Sequence, residues 1–219
     1  MIAELIDKVD NFERVRDEIA AILAVEVANQ KALAVAAGKD PDNWDLRLYS
    51  ERSIPWSILT EDGDTGAPVV NVWFDNLNFD ESASNVVARQ KANATYNIDC
   101  YGGGVSAETA EGHTSQDKAA ALDAQRALRL VRNILMAGEY TYLGLRGMVW
   151  RRFVTTETVF QPSIGDQPAF GIVGARLTLQ VQFNEYAPQV PAETLESLAV
   201  EVTRAADGAV LINADFDYS

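Results

Sequence analysis

Apolar residues recur at spacings of three and four from the first turn of the chain. Ile2, Leu5, Ile6, Val9, Phe12, Val15, Ile19, Ile22 and Leu23 form one stripe, which predicts an amphipathic helix over 1–37. Asp10 with Glu13 three residues on matches a capping box, so the helix has a place to break and restart. Gly38 and the Asp40-Pro41 pair stop it. An unbroken helix of that length is roughly 55 Å long, long enough for part of it to pack on something else.

The pattern then changes period. Trp44–Ser50 and Ser53–Leu59 read as short strands, and Pro68–Phe74 and Ala94–Tyr101 as stronger ones. From Arg176 the run RLTLQVQFNEY alternates strictly. Leu177, Leu179, Val181 and Phe183 face one way and Thr178, Gln180, Gln182 and Asn184 the other, a half-buried strand with one wet face. Met148–Phe160 is its expected pairing partner across QPSIGDQPAF, and SLAVEVTR and VLINADFDY flank AADGA as a hairpin. A second helix follows Thr114 and Asp117, which read as its cap, and ends at Gly138. Its buried face is Ala120, Ala124, Ala127, Val131, Ile134 and Leu135, with Arg126, Arg129 and Arg132 as a charged ridge. The sum is an α+β fold over 1–219: a mostly antiparallel sheet, a long N-terminal helix and one long central helix packed on it. Between the strands at 68–74 and 94–101 lies a polar stretch without proline or glycine, DNLNFDESASNVVARQKAN, read as an extended arm over 75–93.

Hydrophobic residues at 47 % allow a sizeable core. The pattern reads as lacking an apolar run of about 18 residues, so no membrane span is expected. The acidic, amphipathic start does not read as a signal peptide. A single cysteine, Cys100, excludes an intrachain disulfide and fits a reducing compartment. The net charge of -14 disfavours phosphate backbones and anionic membranes as partners. The charge is segregated: Glu61–Glu81 holds six acids and no base, whereas Arg126–Arg152 holds six arginines against Glu139. Either complementary surfaces of two copies meet there, or arginines solvate a helix face.

Catalytic patterns are incomplete. His113, the only histidine, precedes a helix cap and reads as an exposed loop residue. Cys100 sits in an alternating strand beside Ile98 and reads as a small core residue. Ser115-Gln-Asp-Lys118 matches S-x-x-K, but without its K-T-G and S-D-N companions a cap explains it as well. Asp75, Asn76, Asn78, Asp80 and Glu81 offer hard oxygens without the glycine and distant glutamate of an EF-hand. Gly102–Gly104 follows a strand with no phosphate-loop sequence after it and reads as a flexible exit. One cysteine and one histidine cannot build a zinc site. No catalytic residue, metal or cofactor is expected.

The run VVNVWFDNLNFDESASNVVARQKANATYNIDCYGGG, followed by the ALDAQRALRLVRNILM helix and the RLTLQVQFNEYAPQ strand, resembles the structural proteins of the tailed-bacteriophage neck and tail, the tail terminator (tail completion) proteins above all. The resemblance covers 1–219 as an order of elements, and the chain is longer than compact terminators. It implies a hexameric ring in the virion, assembled in the host cytoplasm. That ring caps the tail tube and joins the tail to the head connector, with tube protein, connector proteins and a sheath as neighbours. DNA passes through such a lumen without specific binding, and an acidic lumen would repel it. A head-completion connector ring and a tail tube protein are the alternatives, a hydrolase the remoter one. On this reading the arm's Asp75, Asp80 and Glu81 meet Arg126, Arg129, Arg132, Arg151 and Arg152 of a neighbouring subunit.

Overall fold

The first helix begins where the capping box puts it. Asp10 takes extended backbone angles, and its N–H donates to Glu13 Oε2 at 3.1 Å. Of the expected helix over 1–37 the structure shows α1, Asn11–Ala36; residues 7–10 lie outside the capped turn, and residues 1–6 lie outside the described residues. The computed structural model describes residues 7–61, 66–80, 89–109, 112–164, 167–168, 171–186, 197–203 and 210–217. After α1 come β1 (Arg47–Ser50), α2 (Ile58–Glu61), β2 (Val69–Phe79), β3 (Arg89–Gly103), β4 (Ala107–Thr109) and β5 (Gly112–Thr114). The long central helix α3 (Gln116–Leu135) leads to β6 (Val149–Phe160), β7 (Ser163–Ile164), β8 (Gln167–Pro168) and β9 (Ile172–Tyr186). A last pair, β10 (Ser197–Thr203) and β11 (Val210–Asp217), forms an antiparallel hairpin. Sequence pattern suggests one domain over 1–219. The chain falls into two compact units, with residues 7–186 in one and the β10–β11 hairpin in the other.

The main unit is an α+β sheet in the order β1-β2-β3-β9-β6, antiparallel except for β1 against β2. Alternation along β9 holds as expected: Leu177, Leu179, Val181 and Phe183 are buried and the polar residues between them are half-buried. Val70, Val72, Tyr96, Ile98 and Cys100 continue that buried face across β2 and β3. Both long helices cover it. Val15, Ile19, Ile22, Leu23 and Val27 come from α1, and the expected alanine-rich face comes from α3. Polar bonds fix α1 in place: the Tyr96 hydroxyl donates to Phe12 O at 2.8 Å, and Asn11 Nδ2 donates to Asn184 O at 2.8 Å.

Further expectations need correction. Ser53–Leu59 is not a strand; Pro55, with its fixed φ, opens a 3-10 turn that runs into α2. Strand in Trp44–Ser50 is confined to β1, because Pro41–Trp44 is a 3-10 turn. The cap of α3 is Ser115, not Thr114, and that helix ends at Leu135, with Gly138 opening a separate 3-10 turn. Finally, α1 is long and apolar enough to cross a membrane by length and composition alone, with a mean hydropathy of 1.5 over 18 residues. The core helix of a soluble protein passes the same test, and one side of α1 is packed on the sheet.

The triple glycine has a packing role rather than that of a flexible exit. A Cβ on Gly102 would lie 2.3 Å from Ala120 O, and one on Gly104 2.1 Å from Gln116 O. Glycine lets the end of β3 run against the backbone of the first turns of α3.

Candidate functional site

Of the extended arm over 75–93, residues 75–79 and 89–93 are strand, and 81–88 lie outside the described residues. Asn76 to Phe79 pair with Thr95 back to Ala92, and Asp80 N–H donates to Lys91 O at 3.0 Å. Asp75 is the extra residue of a bulge between Phe74 and Asn76. The sequence disguises this because Asn and Asp are poor strand formers. Here the ladder to β3 and side-chain bonds such as Asn76 Nδ2 to Asp75 Oδ2 (2.9 Å) support them. Asn78–Asp80 and Arg89–Lys91 are exposed residue after residue, so neither face of this ribbon end is covered. Glu81 lies outside the described residues.

The arginines do not form one free belt. Arg126 pairs with Asp123 at 2.7 Å and reaches Asp42 O and Asn43 Oδ1. Arg132 pairs with Glu157 on β6 at 3.1 Å. Arg152 donates to Ala137 O at 2.8 Å and to Tyr140 O, which satisfies carbonyls just past the end of α3, and desolvation lowers its pKa. Arg151 lies over the Phe153 ring at 4.8 Å and is exposed. Only Arg129 and Arg151 of the five keep an exposed guanidinium with no ion pair among the described residues. The structure gives Asp75 a different electrostatic neighbour, Arg176.

That arginine belongs to a site the sequence reading missed. On the sheet face away from the helices, Asp99 of β3 stands opposite Arg176 of β9. Asp99 is buried and accepts four bonds: Arg176 Nε at 2.6 Å, Arg176 Nη2 at 2.9 Å, Trp73 Nε1 at 3.0 Å and the Tyr101 hydroxyl at 3.1 Å. Those bonds hold the guanidinium between the Trp73 and Phe160 rings, 5.0 and 5.3 Å from their centroids. The hydrogen bond to Asp99 raises the Arg176 pKa, whereas burial and then the Asp99 charge push the Tyr101 phenol up. An open cleft of about 460 Å³ lies over this cluster, with Trp56 and Arg52 also in its lining. Its groups can fix a planar cation and stack on rings. Among the described residues they include no nucleophile with a base in reach. A signal for it exists in the sequence: Asn97, Asp99 and Tyr101 share the wet face of β3, and Arg176 opens the wet face of β9.

The remaining singled-out residues have structural partners. Ser115 Oγ accepts from Lys118 N–H at 3.4 Å, so the S-x-x-K match is a helix cap. His113 lies in β5, exposed, with Nδ1 2.9 Å from Glu108 Oε1. No three of His, Cys, Asp and Glu group for a metal among the described residues. Cys100 is fully buried, and desolvation raises its thiol pKa well above the ordinary value. Iodoacetamide at pH 8 should therefore leave Cys100 unmodified in the folded protein and modify it fully in 6 M guanidinium. Mass spectrometry reads both states, and alkylation of the folded protein at the unfolded rate would contradict this burial.

No family model matches this chain, and no curated protein matches it.

Proposed function

We propose that this protein is a ring-forming structural component of a tailed-bacteriophage virion, a tail terminator that caps the tail tube and joins it to the head connector. The observation that carries the reading is the division of the main unit. Both long helices lie on one face of the sheet, and the last described pairs of the β2–β3 ribbon are uncovered, with Phe79 44 % exposed. An uncovered polar ribbon carrying an exposed aromatic residue suits a grip on a neighbouring subunit. The charge of -14 suits a lumen that DNA slides through, if its acids line that lumen. A head-completion ring or a tube protein uses the same features. In the terminator reading the protein works without catalysis, cofactor or membrane.

Native mass spectrometry and negative-stain images of the purified chain test this. A terminator gives single closed rings of six. Stacked rings would mean a tube protein, and a monomer at micromolar concentration would overturn the ring altogether. Arg129 is exposed and outside the fold's own ion pairs, so Arg129→Glu should leave the melting temperature unchanged and weaken the ring by about tenfold if it meets a neighbour's acids. A change of about 1.4 kcal/mol corresponds to that factor. An unchanged ring mass across a dilution series would remove Arg129 from the interface.

A further inference from the structure

β6 ends the sheet, and among the described strands its ladder runs to β9 alone. Thr155, Thr156, Glu157, Thr158 and Val159 are all exposed. Side chains on a strand alternate between faces, so five in a row leave both faces of this edge open. Edge strands are ordinarily blunted by lysine, proline or a covering element. This stretch holds none of those residues, and its one charge, Glu157, is taken by Arg132. A bulge falls between Val154 and Thr156, and beyond it the pairing with β9 is regular to Phe160.

The C-terminal hairpin has the opposite need. β10 and β11 pair with each other and with no other described strand. Two strands alone are marginal in water, and a third strand or a covering face is what stabilises them. Their register sets Leu198, Val200 and Val202 opposite Phe216, Ala214 and Ile212. The two strands hold Glu201, Asp215 and Asp217 and no base, while β6 carries Arg151 and Arg152 near its start. Strands of seven and eight residues are long enough to span the five-residue open stretch.

We propose that the C-terminal hairpin of one copy adds to the outer edge of β6 in a second copy. Main-chain hydrogen bonds supply the affinity, and the hairpin's acids beside the exposed Arg151 set the register. Such a contact joins two different surfaces. It therefore runs head to tail and makes a ring where the rotation closes. The contact deepens the ring reading and rests on it only for that closure.

The test mixes full-length proteins that each carry one new cysteine. One set has Thr155→Cys, Thr156→Cys or Thr158→Cys, and the other has Ala199→Cys or Asn213→Cys. Cys100 stays in place because it is fully buried. With oxidised glutathione, at least one mixed pair should form a disulfide, read on a non-reducing gel at twice the 23.9 kDa chain mass and lost on reduction. A β6 cysteine that links only to itself would overturn the proposal in favour of symmetric edge pairing. A disulfide within one doubly substituted chain at high dilution would overturn it too, since the hairpin would then serve its own sheet. Rings without any mixed disulfide would sink strand addition and leave the ring standing. Monomers without one would sink both.

Discussion

Val181→Asp should abolish folding: no soluble protein at 37 °C and no cooperative melt from refolded material. Val181 is fully buried in β9, with Ala94 of β3 on one side and Arg152 of β6 on the other. Losing its packing removes about 2 kcal/mol of burial. The cross-strand Arg152 already donates to the Ala137 and Tyr140 carbonyls, so turning it to the new carboxylate would strand them, and a polar group left unpaired there costs several kcal/mol more even after it takes up a proton. The total approaches the stability of a whole domain, about 5–15 kcal/mol. Gln182→Asp, one residue on and on the half-buried wet face, is the control and should cost about 1 kcal/mol or less. Circular dichroism melts of both variants decide the matter. A folded Val181→Asp protein melting near the wild type would mean that β9 is turned the other way.

Strict alternation made β9 legible, because a strand with one wet face writes its burial into every second residue. The inner face of α3 was legible for the same reason, at a period of 3.6. The ribbon at 75–93 was not. Its Asn and Asp residues favour turns in isolation, and only the ladder to Ala92–Thr95 makes strand the better state there. Ser53–Leu59 has a strand-like apolar composition, but Pro55 fixes the local angle and the helical turns win. Gly102 and Gly104 look like slack in a sequence. Their purpose appears only when α3 lies against them, a contact that no local window contains.

The same limit explains the candidate site. A block of six arginines reads as one surface, yet Arg126, Arg132 and Arg152 each find a partner inside the fold. Long side chains beside strand and helix ends satisfy local carboxylates and carbonyls first, and charge counts along the chain cannot show that. The Asp99 cluster was hidden by distance: 77 residues separate Asp99 from Arg176, and only the β3–β9 register brings them face to face. Each residue alone is an ordinary polar position on a wet face.

Asp99→Ala should lower stability by about 3 kcal/mol, the low end of the range for breaking a buried pair. The carboxylate is 4 % exposed and serves four donors at once, so its loss leaves the Trp73 indole N–H, the Tyr101 hydroxyl and one edge of Arg176 to find other acceptors. Arg176 is 35 % exposed, so water takes over part of its share and keeps the cost from going higher. For a unit of this size, the melting midpoint should fall by roughly 6–12 °C. Asp99→Asn keeps one acceptor oxygen but turns an amide N–H₂ toward the guanidinium, so it should fall between alanine and the wild type. Adding Arg176→Met to Asp99→Ala removes the stranded cation and puts apolar surface between the Trp73 and Phe160 rings. The double variant should therefore recover at least 1 kcal/mol relative to Asp99→Ala alone. Urea melts of the three variants, completed by Arg176→Met alone, close the cycle. Strict additivity would mean that Asp99 and Arg176 act independently, and that the cluster is four separate surface contacts instead of one buried network.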